Sequence, residues 1–309
     1  MRRWSNGYDC GLPSRLSGFE TAFLHKAKTW ENAVNFSSVV HLGFCFAKSK
    51  KLAKVPADAF QLPTMISIII PALNEEHYIG NLLNDYLNQI FKNFEVIVVD
   101  GNSADKTQKI VKDFSKKNKK IKLIVSEKRN VSYQRNLGVK NAKFGRLLFN
   151  DADISIENDF LGKAVRELTK RDLKVSGCYL IPNTKNLIDK LGHYLLNKWF
   201  FLMQYIYPHM VGQAIFSTKE IHNKINGFDQ TIRFAEDNDY VNRSKKYYKF
   251  RILKYPRIYT STRRFKEENR LILALKYLLC PFYRMFFGEI QTDIFNYKMD
   301  KGKNIYKKY

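Results

Sequence analysis

From Met65 to Asn150 the chain alternates between two textures. ISIIIP, Ile66 to Pro71, is an apolar run interrupted only by Ser67, the pattern of a strand covered on both faces. Behind it, Ile79, Leu82, Leu83, Tyr86, Leu87 and Ile90 recur at i, i+3, i+4, i+7, i+8 and i+11, the stripe of an amphipathic helix. A second run, FEVIVVD (94–100), leads into a polar turn GNSAD and a helix over about 105–117. The strand KLIVS (122–126), a helix through Val131–Ala142 and the strand RLLFN (146–150) complete the series. Strands that alternate with helices build βαβ units, so the prediction is an α/β domain with a parallel sheet.

Ligands of such sheets bind beyond the carboxyl ends of the strands. That rule brings the polar clusters to one edge. Pro71, Asn74 and Glu75 close the first strand, Asp100, Gly101, Asn102 and Ser103 the second, and Asp151, Ala152 and Asp153 the fourth. Neither G-x-G-x-x-G after the first strand nor G-x-x-x-x-G-K-[ST] is present, so the usual glycine-cradled phosphate sites are excluded. In an extended chain Asp151 and Asp153 would point to one side, where two like charges raise each other's pKa unless a cation lies between them. A hard divalent cation on carboxylate oxygens satisfies both carboxylates and any phosphate beside them. The structural alternative is that Asp153 or Ser155 caps a helix beginning near Glu157.

Charge adds a second demand. The 309 residues carry a net charge of +24, which calls for an anionic partner. From Arg243 onward basic residues outnumber acidic ones by roughly three to one, whereas the stretch around Asp151 is near balance. Four cysteines, Cys10, Cys45, Cys178 and Cys280, form no C-x-x-C pair, so neither a zinc site nor a disulfide framework is indicated and a reducing compartment is expected. Residues 1–64 hold no sustained period and read as an extension, either upstream of a natural start at Met65 or an arm whose Lys48, Lys50, Lys51 and Lys54 touch a membrane. KWFFLMQYIY (198–207) reads either as core or as a surface that meets lipid. RLILALKYLLCPFYRMFF (270–287), broken by Lys276, Pro281 and Arg284, is too interrupted to span a bilayer but could lie in its interface.

Four motifs in order, IIIPALNEE, VIVVDGNSADKT, RNLGVKNAKFGRLLFNDAD and INGFDQTIRFAEDNDYVNR, resemble those of family 2 glycosyltransferases. The resemblance covers about residues 65–264, leaving 265–309 as a basic amphipathic tail. It implies a GT-A fold (a Rossmann-like sandwich on a mostly parallel sheet), a nucleotide-sugar donor, Mg²⁺ or Mn²⁺, and inversion at the anomeric carbon. On this pattern Asp153, with Asp151, holds the metal, and Asp151 also contacts the donor nucleotide. Asp100 accepts from the nucleotide base in a pocket lined by Pro71, Asn74, Glu75 and Asn102. Gly101 stands where a second acidic residue is usual, and a UDP-sugar is the favoured donor. Arg135 reaches the nucleotide or diphosphate, or else is a solvated helix arginine.

Asp237 matches the family's general base; Glu236 and Asp239, three apart, share a helix face, and all three acids would also suit a helix N-terminus. Glu236, Arg263 and Arg264 are expected toward the diphosphate or the acceptor. The acceptor is then lipid-linked or a glycan, met at the cytoplasmic face of an anionic membrane with the tail's basic residues on the lipid. A nucleotidyltransferase is the competing enzyme, although a glycine- and basic-rich loop after the first strand is missing. A basic nucleic-acid-binding protein would be repelled at the acidic strand ends, so no nucleic acid is expected. A catalytically inactive relative serving as a scaffold is the remaining class.

Overall fold

The structure, a computed structural model, describes residues 65–262 together with 279, 283, 284, 289 and 290. The expectations for residues 1–64, for Arg263 and Arg264 and for most of the tail fall outside the described residues.

The first half follows the sequence pattern closely. Strands β1 (Ile66–Ala72), β2 (Phe94–Asp100) and β3 (Ile121–Val125) alternate with helices α1 (Ile79–Leu87), α2 (Thr107–Lys117) and α3 (Val131–Asn141), and β4 (Arg146–Phe149) closes the series. Every residue of β1 and β2 is buried, which is why isoleucine and valine run through both instead of alternating with exposed polar residues. The apolar stripe of α1 packs through Ile79, Leu82, Leu83 and Tyr86, but Ile90 lies beyond the helix and is exposed. Helix α3 starts where the Asn130 side chain accepts the Tyr133 N–H at 2.8 Å, an N-cap bond. It lies so close to β1 that a Cβ on Gly138 would stand 2.4 Å from Ile69 Cγ2.

The second half contains β5 (Ile154–Ile156), α4 (Phe160–Lys170), β6 (Val175–Pro182), α5 (Leu187–Met203), β7 (Ile215–Thr218), α6 (Lys219–Lys224), α7 (Glu236–Ser244) and β8 (Phe250–Thr260). The eight strands form one sheet in the order β3-β2-β1-β4-β7-β6-β8-β5. β1 pairs in parallel with β2 and β4, β2 with β3, and β6 with β8, whereas β4–β7, β6–β7 and β5–β8 are antiparallel. The helix expected near Glu157 begins instead at Phe160, after β5, and no side-chain bond caps it. Neither Asp153 nor Ser155 therefore serves as its cap. The core under the sheet closes on Phe149, whose ring meets those of Phe228 and Tyr240 edge-on at 4.9 and 5.6 Å.

Candidate active site

Two loops at the carboxyl edge of the sheet are stitched together by their own polar groups. After β1, the Asn74 N–H donates to Ser103 Oγ at 2.9 Å and the Glu75 N–H to Thr107 Oγ1 at 2.8 Å. The Ala104 N–H returns a bond to Asn74 Oδ1 at 2.9 Å. Asn74 and Asn102 hold φ values of +55° and +61°, a left-handed conformation that asparagine tolerates better than most residues. Asp100 is buried, and its carboxylate accepts the Ser103 N–H at 2.9 Å, the Ser103 hydroxyl at 2.5 Å and Gln108 Nε2 at 2.7 Å. A Cβ at Gly101 would lie 2.2 Å from Nε2 of the buried Gln134, so a side chain there would have to displace the end of Gln134.

Beyond β4, Asn150 is buried between Tyr86 and the Gln213 carbonyl, which fixes the start of the acidic triplet. Asp151 and Asp153 are half-buried on either side of buried Ala152. The chain turns at 152–153, so they reach the surface through a turn between β4 and β5 and not along an extended strand.

Arg135, projecting from α3, is 2 % exposed, which overturns the solvated reading. Its Nη2 donates to Asp151 Oδ1 at 3.0 Å and its Nη1 to Glu236 Oε1 at 2.7 Å, with the guanidinium 5.1 Å from the Phe228 ring centroid. Burial opposes its charge, but the carboxylates of Glu236, Asp151 and Asp237 outweigh that and raise its pKa. Gly212 backs the guanidinium, since a Cβ there would sit 2.1 Å from Nη2.

Helix α7 opens on Ala235, whose φ of +65° is left-handed without glycine's freedom. Ala235 and Phe234 are buried against Ile290, and the Arg233 N–H donates to the Ile290 carbonyl at 3.1 Å. The first turn then separates its acids. Glu236 meets Arg135, while Asp239 pairs with Arg243, which also donates to the carbonyls of Ile225 and Gly227. Asp237 accepts the Gly212 N–H on Oδ2 at 2.6 Å and the Asn238 N–H on Oδ1 at 2.7 Å. Burial first, and then the Glu236 charge, push the Asp237 pKa up to about 7, against the opposing pull of Arg135 and the two backbone donors.

The donor set suits a hard cation. Among the described residues no group of three or more His, Cys, Asp or Glu could hold a metal by itself. Asp151 and Asp153 supply half-exposed carboxylates, and Mg²⁺ commonly binds to one or two carboxylates plus substrate phosphates.

The sequence profile described as glycosyl transferase family 2 matches residues 67–290. The chain belongs to that family. A relative from Methanococcus voltae, a dolichyl N-acetyl-alpha-D-glucosaminyl phosphate 3-beta-D-2,3-diacetamido-2,3-dideoxy-beta-D-glucuronosyltransferase, is 28 % identical over 191 residues, 57 % of this chain. The chain spans 60 % of that relative's own length. Two solved structures share the fold. One is Staphylococcus aureus TarS 1–349 in complex with UDP-GlcNAc (TM-score 0.52, 21 % identity, covering 71 % of this chain and 67 % of that one). The other is the mannosyltransferase PcManGT of Pyrobaculum calidifontis in complex with GDP-Man and Mn²⁺ (TM-score 0.54, 20 % identity, covering 73 % and 68 %). The architecture is thus the GT-A type expected from the four motifs.

Of the expected site residues in this family 2 domain, the structure joins Asp151, Arg135 and Glu236 by direct bonds and sets Asp237 beside them. Pro71, Asn74, Glu75, Asp100 and Asn102 lie on the adjoining loops, with Asp153 two residues past Asp151. Asp100 holds its own loop, and Asp239 turns to Arg243, not to the face of Glu236 that meets Arg135. Sequence reasoning missed Gly212, Gln108 and Gln134. The glycine offered a weak signal and the glutamines none.

Proposed function

We propose that this chain transfers a sugar from a nucleotide-diphosphate sugar to a lipid-linked or glycan acceptor, with inversion, at the cytoplasmic face of an anionic membrane. The Arg135 bridge carries the reading: it ties the acidic triplet after β4 to Glu236, next to Asp237, so donor and acceptor chemistry share one buried cation. The nucleotide occupies the loops of Pro71, Asn74, Glu75 and Asn102, and Asp100 contributes by holding the loop that presents Asn102. Asp153 and Asp151 would hold Mg²⁺ or Mn²⁺, whose charge offsets that developing on the leaving diphosphate.

In the transfer, the acceptor oxygen forms a bond to the anomeric carbon opposite the diphosphate. The bond to the diphosphate oxygen breaks, and its electron pair leaves with the nucleoside diphosphate. The acceptor hydroxyl's proton passes to the Asp237 carboxylate, whose pKa of about 7 is suited to a base at neutral pH. A polyprenyl-phosphate acceptor is already anionic and needs no such base, leaving Asp237 to act through position and charge. A UDP-sugar is the favoured donor. In a thermal-shift screen of the full chain against UDP- and GDP-sugars with Mg²⁺ or Mn²⁺, donor plus metal should raise Tm in the wild type but not in Asp153→Ala. Equal donor affinity in both proteins, with and without metal, would refute the assignment.

A further inference from the structure

Helix α5 is mounted with its apolar side outward. Leu187, Leu191, Tyr194, Leu195, Leu202 and Tyr205 are each between 57 % and 77 % exposed. Their spacing at i, i+4, i+7, i+8, i+15 and i+18 places them on one stripe along the whole helix and the turn after it. The inward face mixes Leu196, Trp199 and Phe200, which pack on the core, with polar groups that bond the sheet. Asn197 donates from Nδ2 to the Leu180 carbonyl at 2.8 Å and accepts the Leu180 N–H at 3.1 Å. The buried His193 lies 3.3 Å from Thr260 Oγ1, and the buried Gln204 accepts the Ile252 N–H on Oε1 at 3.0 Å. Phe200 is the buried aromatic among them. These bonds pin the helix about its axis, so it cannot roll its leucines inward without breaking contacts to β6 and β8. The KWFFLMQYIY stretch is therefore not mainly core.

Contiguous apolar surface of this kind marks a binding face. We infer that the α5 stripe is a membrane-docking surface that lies in the interface of an anionic lipid bilayer. An apolar stripe bordered by cations and tyrosines is the pattern of a helix lying in the headgroup region. Lys198, within the stripe, holds its Nζ 5.4 Å from the Tyr194 ring centroid, so its stem covers apolar surface while the charge reaches outward. Lys185 and Lys190 are exposed on the same helix and its approach. At the far end the Arg251 guanidinium lies 4.4 Å from the Tyr205 ring centroid and Lys245 Nζ donates to the Ile206 carbonyl at 2.8 Å. Charge also decides against a second copy: a two-fold contact would bring the same lysines together on chains of net charge +24. No described helix is long and apolar enough to cross a membrane, so the contact is lateral.

Residues 204–211 lead from α5 to Gly212, whose N–H holds Asp237. The docked helix is thus joined by a short connection to the loop that holds Asp237. In its choice of partner this inference rests on the function proposed above, but its test does not require turnover. The full chain should co-sediment with equimolar phosphatidylcholine–phosphatidylglycerol vesicles without donor, and weakly with phosphatidylcholine alone. Leu191→Glu/Leu195→Glu/Leu202→Glu, altered only at exposed positions and checked for fold by circular dichroism, should bind at least about tenfold more weakly. Independently, Leu202→Trp should show a blue-shifted emission when anionic vesicles are added.

Wild-type affinity in the triple variant, or no shift in the tryptophan reporter, overturns the inference and leaves the basic tail as the lipid contact. A wild-type dimer that becomes monomeric in the triple variant, with vesicle binding unchanged, overturns it in favour of self-association. A chain that binds vesicles through α5 yet transfers no sugar sustains this surface and refutes the function.

Discussion

Two regions of the molecule reverse the ordinary rule of burial in opposite senses. Around Arg135, charge is taken inside: a 2 % exposed guanidinium, a buried Glu236 and a half-buried Asp151 share one network. Along α5, apolar side chains are put outside while histidine, asparagine and glutamine face inward. Neither arrangement is the one stability alone would select, since buried ion pairs seldom outperform well-packed apolar groups and exposed leucines gain nothing from folding. Both are nevertheless fixed by short, specific hydrogen bonds. Departures from local consistency that the surrounding structure holds in place are where function is to be sought.

The largest effect is expected at the charged region. Asp237→Asn should lower kcat by about 10²–10⁴-fold on a hydroxyl acceptor while donor affinity changes little, and by less on a lipid phosphate. Steady-state kinetics at saturating donor with both acceptor types would measure it; full activity on every acceptor would remove Asp237 from the mechanism. The same substitution should stabilise the protein at neutral pH. Asp237 has a folded pKa raised to about 7, above its unfolded value, so its protonated form favours the fold at low pH. That contribution is lost as pH rises from about 4 through about 7. Thermal melts of the metal-free protein should show the gain of Asp237→Asn over wild type growing across that window, and a constant difference would contradict the buried carboxyl.

Next in size is Arg135→Met, which leaves Glu236 and Asp151 without their cation and should cost about 3–5 kcal/mol in denaturant unfolding. A loss below about 1 kcal/mol would show the pair to be as dispensable as a surface bridge. Gly212→Ala comes third. Its Cβ would press on the guanidinium, so about 1–3 kcal/mol of stability should be lost, with turnover falling in parallel. The smallest effect belongs to the other region. Leu191→Glu or Leu195→Glu should change unfolding free energy by no more than about 0.5 kcal/mol in the absence of lipid, because little is buried there. A large destabilisation at either leucine would erase the contrast between the two regions.

The first half of the sheet was legible because β1 and β2 are buried on both faces and are apolar apart from Ser67, Glu95 and Asp100. Even there the apolar period overran α1 at Ile90, where the main chain leaves the helix to bond Asn158 instead. The second half was silent for physical reasons. β5 and β7 span three and four residues, too short to display a period, and β8 carries Pro256 and a register shift against β6. The acids at the strand ends could be singled out because the parallel-sheet pattern puts them on one edge, although Asp100 proves to brace its own loop. Their joining through Arg135 could not, since the Arg135–Glu236 bond links residues 101 apart in the chain. For α5 the sequence offered two readings of KWFFLMQYIY and could not choose, because apolar residues lie on both sides of the helix: Leu196, Trp199 and Phe200 meet the core while Leu191, Leu195 and Leu202 face outward.

The contact between Gly101 and Gln134 reaches beyond the shape of one loop. With the Gln134 amide occupying the space a Cβ at 101 would need, any side chain at 101 must displace the end of Gln134. The two positions are therefore coupled: an acidic residue at 101 and a shorter residue at 134 should be tolerated better together than the sum of the two single changes indicates.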